Sequence, residues 1–126
     1  MNSGKFSIAI IGAGNAGIEM MQKMIEVDFV DLVAVVDKNE EAPGIKLAQE
    51  KGIPTTNDFM SLFKDDNELD IIIDVTGIKA VRDELRSFMQ ESNNKHTVIM
   101  HERISALLVS LFKGKLVDMK SSDGIY

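Results

Sequence analysis

The stretch Phe6-Ser7-Ile8-Ala9-Ile10-Ile11-Gly12-Ala13-Gly14-Asn15-Ala16-Gly17 decides how the rest of this 126-residue chain is read. Phe6 to Ile11 is apolar on both alternating faces but for Ser7, the pattern of a strand buried on both sides of a sheet. A G-x-G-x-x-G run follows without a gap, and a helical pattern then carries Ile18, Met21 and Ile25 on one face to about Val27. Glycines that leave a buried strand and open a helix have separate uses. Gly12 permits the tight turn, Gly14 keeps a side chain away from an approaching ligand, and Gly17 lets the helix lie close to the strand.

Outward from that bend, Leu32 to Val36 reads as a second strand that Asp37 terminates, about 20 residues after Gly17. A helix N-terminus presents unpaired N–H groups and partial positive charge to phosphates, and a carboxylate at the end of the next strand can accept hydrogen bonds from a ribose. Gly12, Ala13, Gly14, Asn15, Ala16, Gly17 and Asp37 are therefore candidate contacts for an adenine dinucleotide. A carboxylate repels a 2′-phosphate, so NAD is favoured over NADP; Lys38 and Asn39 soften that preference. Coenzyme A and S-adenosylmethionine stay open as alternative adenine nucleotides.

The remaining pattern alternates. Pro43 to Lys51 reads as a helix with proline in its first turn and Gly52 as its stop. Ile53 to Thr55 reads as a short strand, and Asn57 or Asp58 caps a helix carrying Phe59, Leu62 and Phe63. Asp70 to Thr76 is a fourth strand, Ala80 to Ser92 a helix, Thr97 to Met100 a fifth strand, Ile104 to Phe112 a last helix, and Leu116 to Met119 a sixth short strand. These elements predict a doubly wound, mostly parallel α/β sheet in three layers, in a single domain over 1–126 with its core in 5–120 and a tail at 121–126. In that topology the ends of the first and fourth strands flank the crevice, which adds Thr76 and Gly77 on the nicotinamide side.

No catalytic residue is identified. Asp74, a carboxylate in an apolar strand, reads either as a functional buried acid or, by preference, as a residue near the strand end that is solvated or capped. His96 and His101 lie on opposite faces and are not expected to share a metal. His101-Glu102-Arg103 is the best remaining acid–base cluster, although it reads more simply as a charged loop. Met20, Met21 and Met24 read as core filler. The helix at 104–112 is apolar nearly all round, which suggests a homo-oligomer or a further domain packed on it.

Composition sets outer limits. Hydrophobic residues are 44%, charged residues 27%, and net charge is −6 without a basic cluster, so nucleic acid is not an expected partner. There is no cysteine, hence no disulfide framework and no thiolate chemistry. No apolar run is long enough to cross a bilayer, and the protein is expected in the cytoplasm.

Phe6 to Gly17, Leu32 to Asp37 and Asp70 to Gly77 together resemble the N-terminal NAD(P)-binding domain, of Rossmann type, of the glucose–fructose oxidoreductase and inositol dehydrogenase family. They are also similar to the corresponding domains of homoserine and dihydrodipicolinate-type reductases. The oxidoreductase family follows its fifth strand with Glu-Lys-Pro, where this chain has Glu102-Arg103-Ile104, and arginine is a poor acid–base substitute for lysine. The phrases Glu41 to Ala48, Gly52 to Pro54 and Ile73 to Gly77 look similar to small modules at the N-terminus of bacterial signalling proteins. Three readings stay open: an NAD(H)-binding or NAD(H)-sensing module without a complete active site, the cofactor half of an NAD-dependent oxidoreductase whose substrate domain is missing, or a binder of another adenine nucleotide.

Overall fold

A computed structural model describes residues 4–63, 69–92 and 94–116, apart from the Glu102 side chain. Five strands and four α-helices follow in order. They are β1 (Phe6–Ile11), α1 (Asn15–Ile25), β2 (Val30–Val36), α2 (Pro43–Glu50), β3 (Thr55–Thr56), β4 (Ile71–Asp74), α3 (Lys79–Ser92), β5 (Val98–Met100) and α4 (Glu102–Lys113). The sheet order is β3-β2-β1-β4-β5 and every pairing is parallel. The order reverses between β1 and β4, which makes the crevice above those two strands the switch point of a doubly wound fold.

Period-two alternation divides the strand residues between two cores. Ile8, Ile10, Val35 and Ile73 join Met20 and Met21 of α1, Ile45 and Ala48 of α2, and Val109 of α4. Ala9, Ile11, Ala34, Val36 and Ile72 join Phe59, Leu62, Val81 and Leu85 on the opposite face. The three layers are thus α1, α2 and α4, then the sheet, then α3 with the Phe59–Phe63 turn.

Several expectations are adjusted. Phe59–Phe63 forms a single 3-10 turn rather than an α-helix. The Met60 N–H bonds the Asp58 carboxylate at 3.0 Å, so the expected capping residue is in place. The buried stripe of α1 is Gly17, Met20 and Met21, while Ile25 is 40% exposed. His101-Glu102-Arg103 is not a loop, because α4 starts at Glu102 with His101 as its N-cap. Alone, α4 buries one side through Ser105 and Val109, and leaves Ile104, Leu107 and Leu111 more than half exposed. The expected sixth strand falls, beyond Leu116, outside the described residues, as does the tail at 121–126. Among the described residues no helix is long and apolar enough to cross a membrane.

Candidate functional site

The three glycines of the bend do three different things. Gly12 has φ +108, a conformation that side chains avoid, and its N–H bonds the Val36 carbonyl at 2.8 Å. A Cβ on Gly17 would lie 2.0 Å from the Gly12 carbonyl oxygen, so α1 packs on β1 at a distance only glycine allows. A Cβ on Gly14 would meet nothing within 4 Å. Gly14 is exposed and is the N-cap of α1, so its bare side is open to an approaching group. The first helical bond runs from the Ile18 N–H to the Gly14 carbonyl at 3.0 Å. The N–H groups of Asn15, Ala16 and Gly17 therefore have no helical carbonyl to meet. That leaves three donors at the positive end of an 11-residue helix, a cradle for an anion.

Ala13 is buried and both its backbone groups are occupied. Its N–H donates to Asp37 Oδ2 at 2.8 Å, and its carbonyl accepts the Gly44 N–H at 2.7 Å. Gly44 stands in the first turn of α2, where a Cβ would lie 2.5 Å from the Ala13 oxygen. Asp37 thus faces the bend, as expected. It is also 1% exposed, with Oδ1 accepting the Asn39 N–H at 2.8 Å. A carboxylate has room for two further acceptances after these two. Lys38 beside it is exposed. Sequence reasoning missed Gly44, although a glycine inside the first turn of a helix is itself a signal of close packing.

On the other side of the switch point, Thr76 is buried against Gly12. A Cβ there would lie 3.4 Å from both the Thr76 N and Cγ2, and 2.9 Å from Val75 Cγ2. Gly77 has φ +66 and turns the chain toward α3. The Thr76 N–H and hydroxyl both donate to Asp74 Oδ1, at 2.9 and 2.7 Å. Asp74 is 2% exposed, so it is capped as expected but not solvated. Its second oxygen lies 3.5 Å from His101 Nδ1. His96 makes a comparable contact at the far end of the same strand, where its Nε2 lies 2.8 Å from Asp70 Oδ1. The two histidines are thus separated by the length of the β4–β5 ladder. Among the described residues no group of three or more histidines, cysteines and carboxylates could hold a metal.

Comparison with known proteins supplies a family and a fold. The family model for the N-terminus of dihydrodipicolinate reductase matches residues 6–100. Acetaldehyde dehydrogenase of Geobacillus stearothermophilus is 34% identical over 77 residues, which is 60% of this chain and 26% of that protein. Acetaldehyde dehydrogenase 5 of Rhodococcus jostii is 35% identical over 83 residues, 63% of this chain and 25% of that protein. The chain thus spans about a quarter of the length of these relatives. GenD2 from gentamicin A biosynthesis, solved in complex with NAD, superposes with a TM-score of 0.60 at 18% identity, covering 87% of this chain and 32% of that one. A myo-inositol dehydrogenase from Corynebacterium glutamicum also gives 0.60 at 18%, covering 87% and 33%. At that identity the two structures speak to the fold, and the fold is the Rossmann-type one.

Proposed function

The chain belongs to the family of the dihydrodipicolinate reductase N-terminus, and from that premise we propose that it is the NAD(P)-binding domain of an oxidoreductase, with NAD(H) as its dinucleotide. The carrying observation is the division of labour at Gly12, Gly14 and Gly17: a strained turn, an open approach and a close helix–strand contact. A bound dinucleotide would set its diphosphate on the N–H groups of Asn15, Ala16 and Gly17. Its adenosine ribose would reach Asp37, beside Lys38, and its nicotinamide side would lie along Thr76 and Gly77. GenD2, a protein of the same fold, was solved in complex with NAD, which supports a dinucleotide as the ligand class. The preference for NAD rests on Asp37, whose carboxylate would repel a 2′-phosphate.

Hydride chemistry requires a wall that positions substrate and excludes water. This chain spans about a quarter of its relatives' length, and its described residues offer no such wall at the crevice, so in our reading a second, substrate-holding domain completes the site. The exposed side of α4 (Ile104, Leu107 and Leu111) is the surface for it. This reading places the protein in the cytoplasm, with its dinucleotide.

Thermal unfolding with added nucleotide tests the proposal, because a ligand that binds only the native state raises its stability by about 2.7 kcal/mol at a hundred times Kd. NADH is expected to raise Tm more than equimolar NADPH, coenzyme A or S-adenosylmethionine. A shift with coenzyme A and none with NADH would replace this reading with the third one above.

A further inference from the structure

The nucleotide reading leaves one buried pair unused. Asp74 Oδ1 is saturated by the two Thr76 donors, while Oδ2 faces His101 Nδ1 at 3.5 Å, longer than a formed hydrogen bond. His101 Nδ1 is itself buried and, among the described residues, has no hydrogen-bond partner. A buried ring nitrogen beside a half-used buried carboxylate calls for an explanation, because buried polar groups in folded proteins are nearly always hydrogen-bonded. The backbone that carries the imidazole is nevertheless tied down. The Ser105 hydroxyl lies 3.1 Å from the Asp74 carbonyl and 3.3 Å from the Met100 carbonyl, which ties the first turn of α4 to the ends of both β4 and β5. The Ser105 N–H bonds the His101 carbonyl at 3.0 Å.

The pair lies within the crevice. Thr76, which donates to Asp74, is with Val75 one of the two residues that a Cβ on Gly12 would meet. The His101 side chain is 18% exposed although Nδ1 is buried, so the exposure belongs to the rest of the ring, which includes Nε2. Arg103, two residues along, is exposed, and Lys113 at the other end of α4 pairs with Glu19 of α1 at 3.4 Å.

We propose that His101, backed by the Asp74 carboxylate, is the proton-carrying site of this crevice, exchanging a proton through Nε2 with the oxygen of a small hydroxyl or carbonyl compound. The inference rests on the dinucleotide reading. A nicotinamide, when bound, supplies or accepts a hydride and no proton, so a carbonyl–alcohol interconversion needs one proton from the protein. With an alcohol, the O–H bond breaks and its proton passes to Nε2. The carbon–oxygen double bond forms as the hydride leaves carbon with its electron pair, and the new imidazolium is balanced by Asp74. The reverse direction returns the proton to oxygen. Asp74 is the positioning residue: its Oδ2 faces Nδ1 and favours a proton there, which would leave the Nε2 lone pair outward.

Two measurements test this. Long-range 1H–15N spectra distinguish imidazole tautomers, and with two histidines in the chain His101→Gln assigns the signals. Neutral His101 is expected with its proton on Nδ1 in the wild type and to lose that bias in Asp74→Asn; a proton on Nε2 in the wild type overturns the inference. The second is calorimetry at mildly acidic pH in buffers of different ionisation heat. NAD+ carries a positive ring, so its binding should release a fractional proton in the wild type, NADH binding should release less, and His101→Gln should abolish the difference. Equal release in the variant removes His101 from the crevice. If neither nucleotide binds the wild type, the dinucleotide reading fails and this inference with it, whatever the tautomer.

Discussion

Strand β4 carries an aspartate–histidine pair at each end, and the two pairs are built differently. At the base, Asp70 takes the Ser7 N–H at 2.8 Å on one oxygen and His96 Nε2 at 2.8 Å on the other, with His96 largely in water. At the crevice, Asp74 and His101 are more deeply enclosed yet stand 3.5 Å apart, and the ring nitrogen between them is orphaned. The first pair is complete and joins β1, β4 and the start of β5. The second is held in place by Thr76 and Ser105 but left unfinished. Parallel sheets collect function at the carboxyl ends of their strands, and here that asymmetry appears in the hydrogen-bond inventory of one strand.

The sharpest test of this contrast uses glycines. At the crevice end, Gly17→Ala drives a methyl into the Gly12 carbonyl oxygen at 2.0 Å, a backbone atom that cannot swing aside. At the opposite end of the fold, Gly52 has φ +73 but open space around a Cβ. Gly17→Ala is expected to cost on the order of 3 kcal/mol or more, and Gly52→Ala about 1 kcal/mol from left-handed strain alone. Urea denaturation midpoints measure both. Equal costs would mean that the crevice end is no more tightly constrained than the base.

Next in size is Asp37→Asn. Both Asp37 oxygens accept backbone N–H groups, and an amide must turn its NH2 toward one of them, donor against donor. Stability should fall by about 1–3 kcal/mol. NADH affinity should fall roughly tenfold, the equivalent of one lost contact of about 1.4 kcal/mol, and the gap to NADPH should narrow. An unchanged gap would assign Asp37 to the bend alone and remove it from cofactor choice.

These residues also show how far sequence carries. Strand period and the glycine spacing are local signals, so β1, the bend and a carboxylate at the end of β2 were legible in the sequence; that Asp37 is enclosed, with both oxygens on backbone N–H groups, was not. The pairing of Asp74 with His101 was not, since it joins residues on neighbouring strands whose register no single-strand pattern reveals. The sequence suggested a solvated or capped strand end and a charged loop; the structure puts a buried carboxylate next to a helix N-cap. Gly44 was hidden for a related reason: its need for glycine comes from Ala13, 31 residues away in the chain. The 3-10 turn at Phe59–Phe63 had the apolar spacing of a helix but too few turns to propagate one.

The smallest expected effect belongs to the base pair and appears as pH dependence. The Ser7 N–H holds the Asp70 carboxyl below the usual aspartate range; partial desolvation opposes this, and His96 adds to the lowering. A carboxyl whose folded-state pKa is depressed stabilises the fold above its unfolded value, about 3.9, and that contribution is lost as pH falls through the lower folded value. The wild type should therefore exceed Asp70→Asn in stability at pH 5, and the difference should shrink as the solution is acidified below about 3.9. His96→Gln should remove the smaller part, because the Ser7 N–H is the larger cause. Parallel denaturation curves for wild type and Asp70→Asn across that range would show that the base pair contributes nothing through its charge. The completeness that sets it apart from Asp74–His101 would then be geometric only.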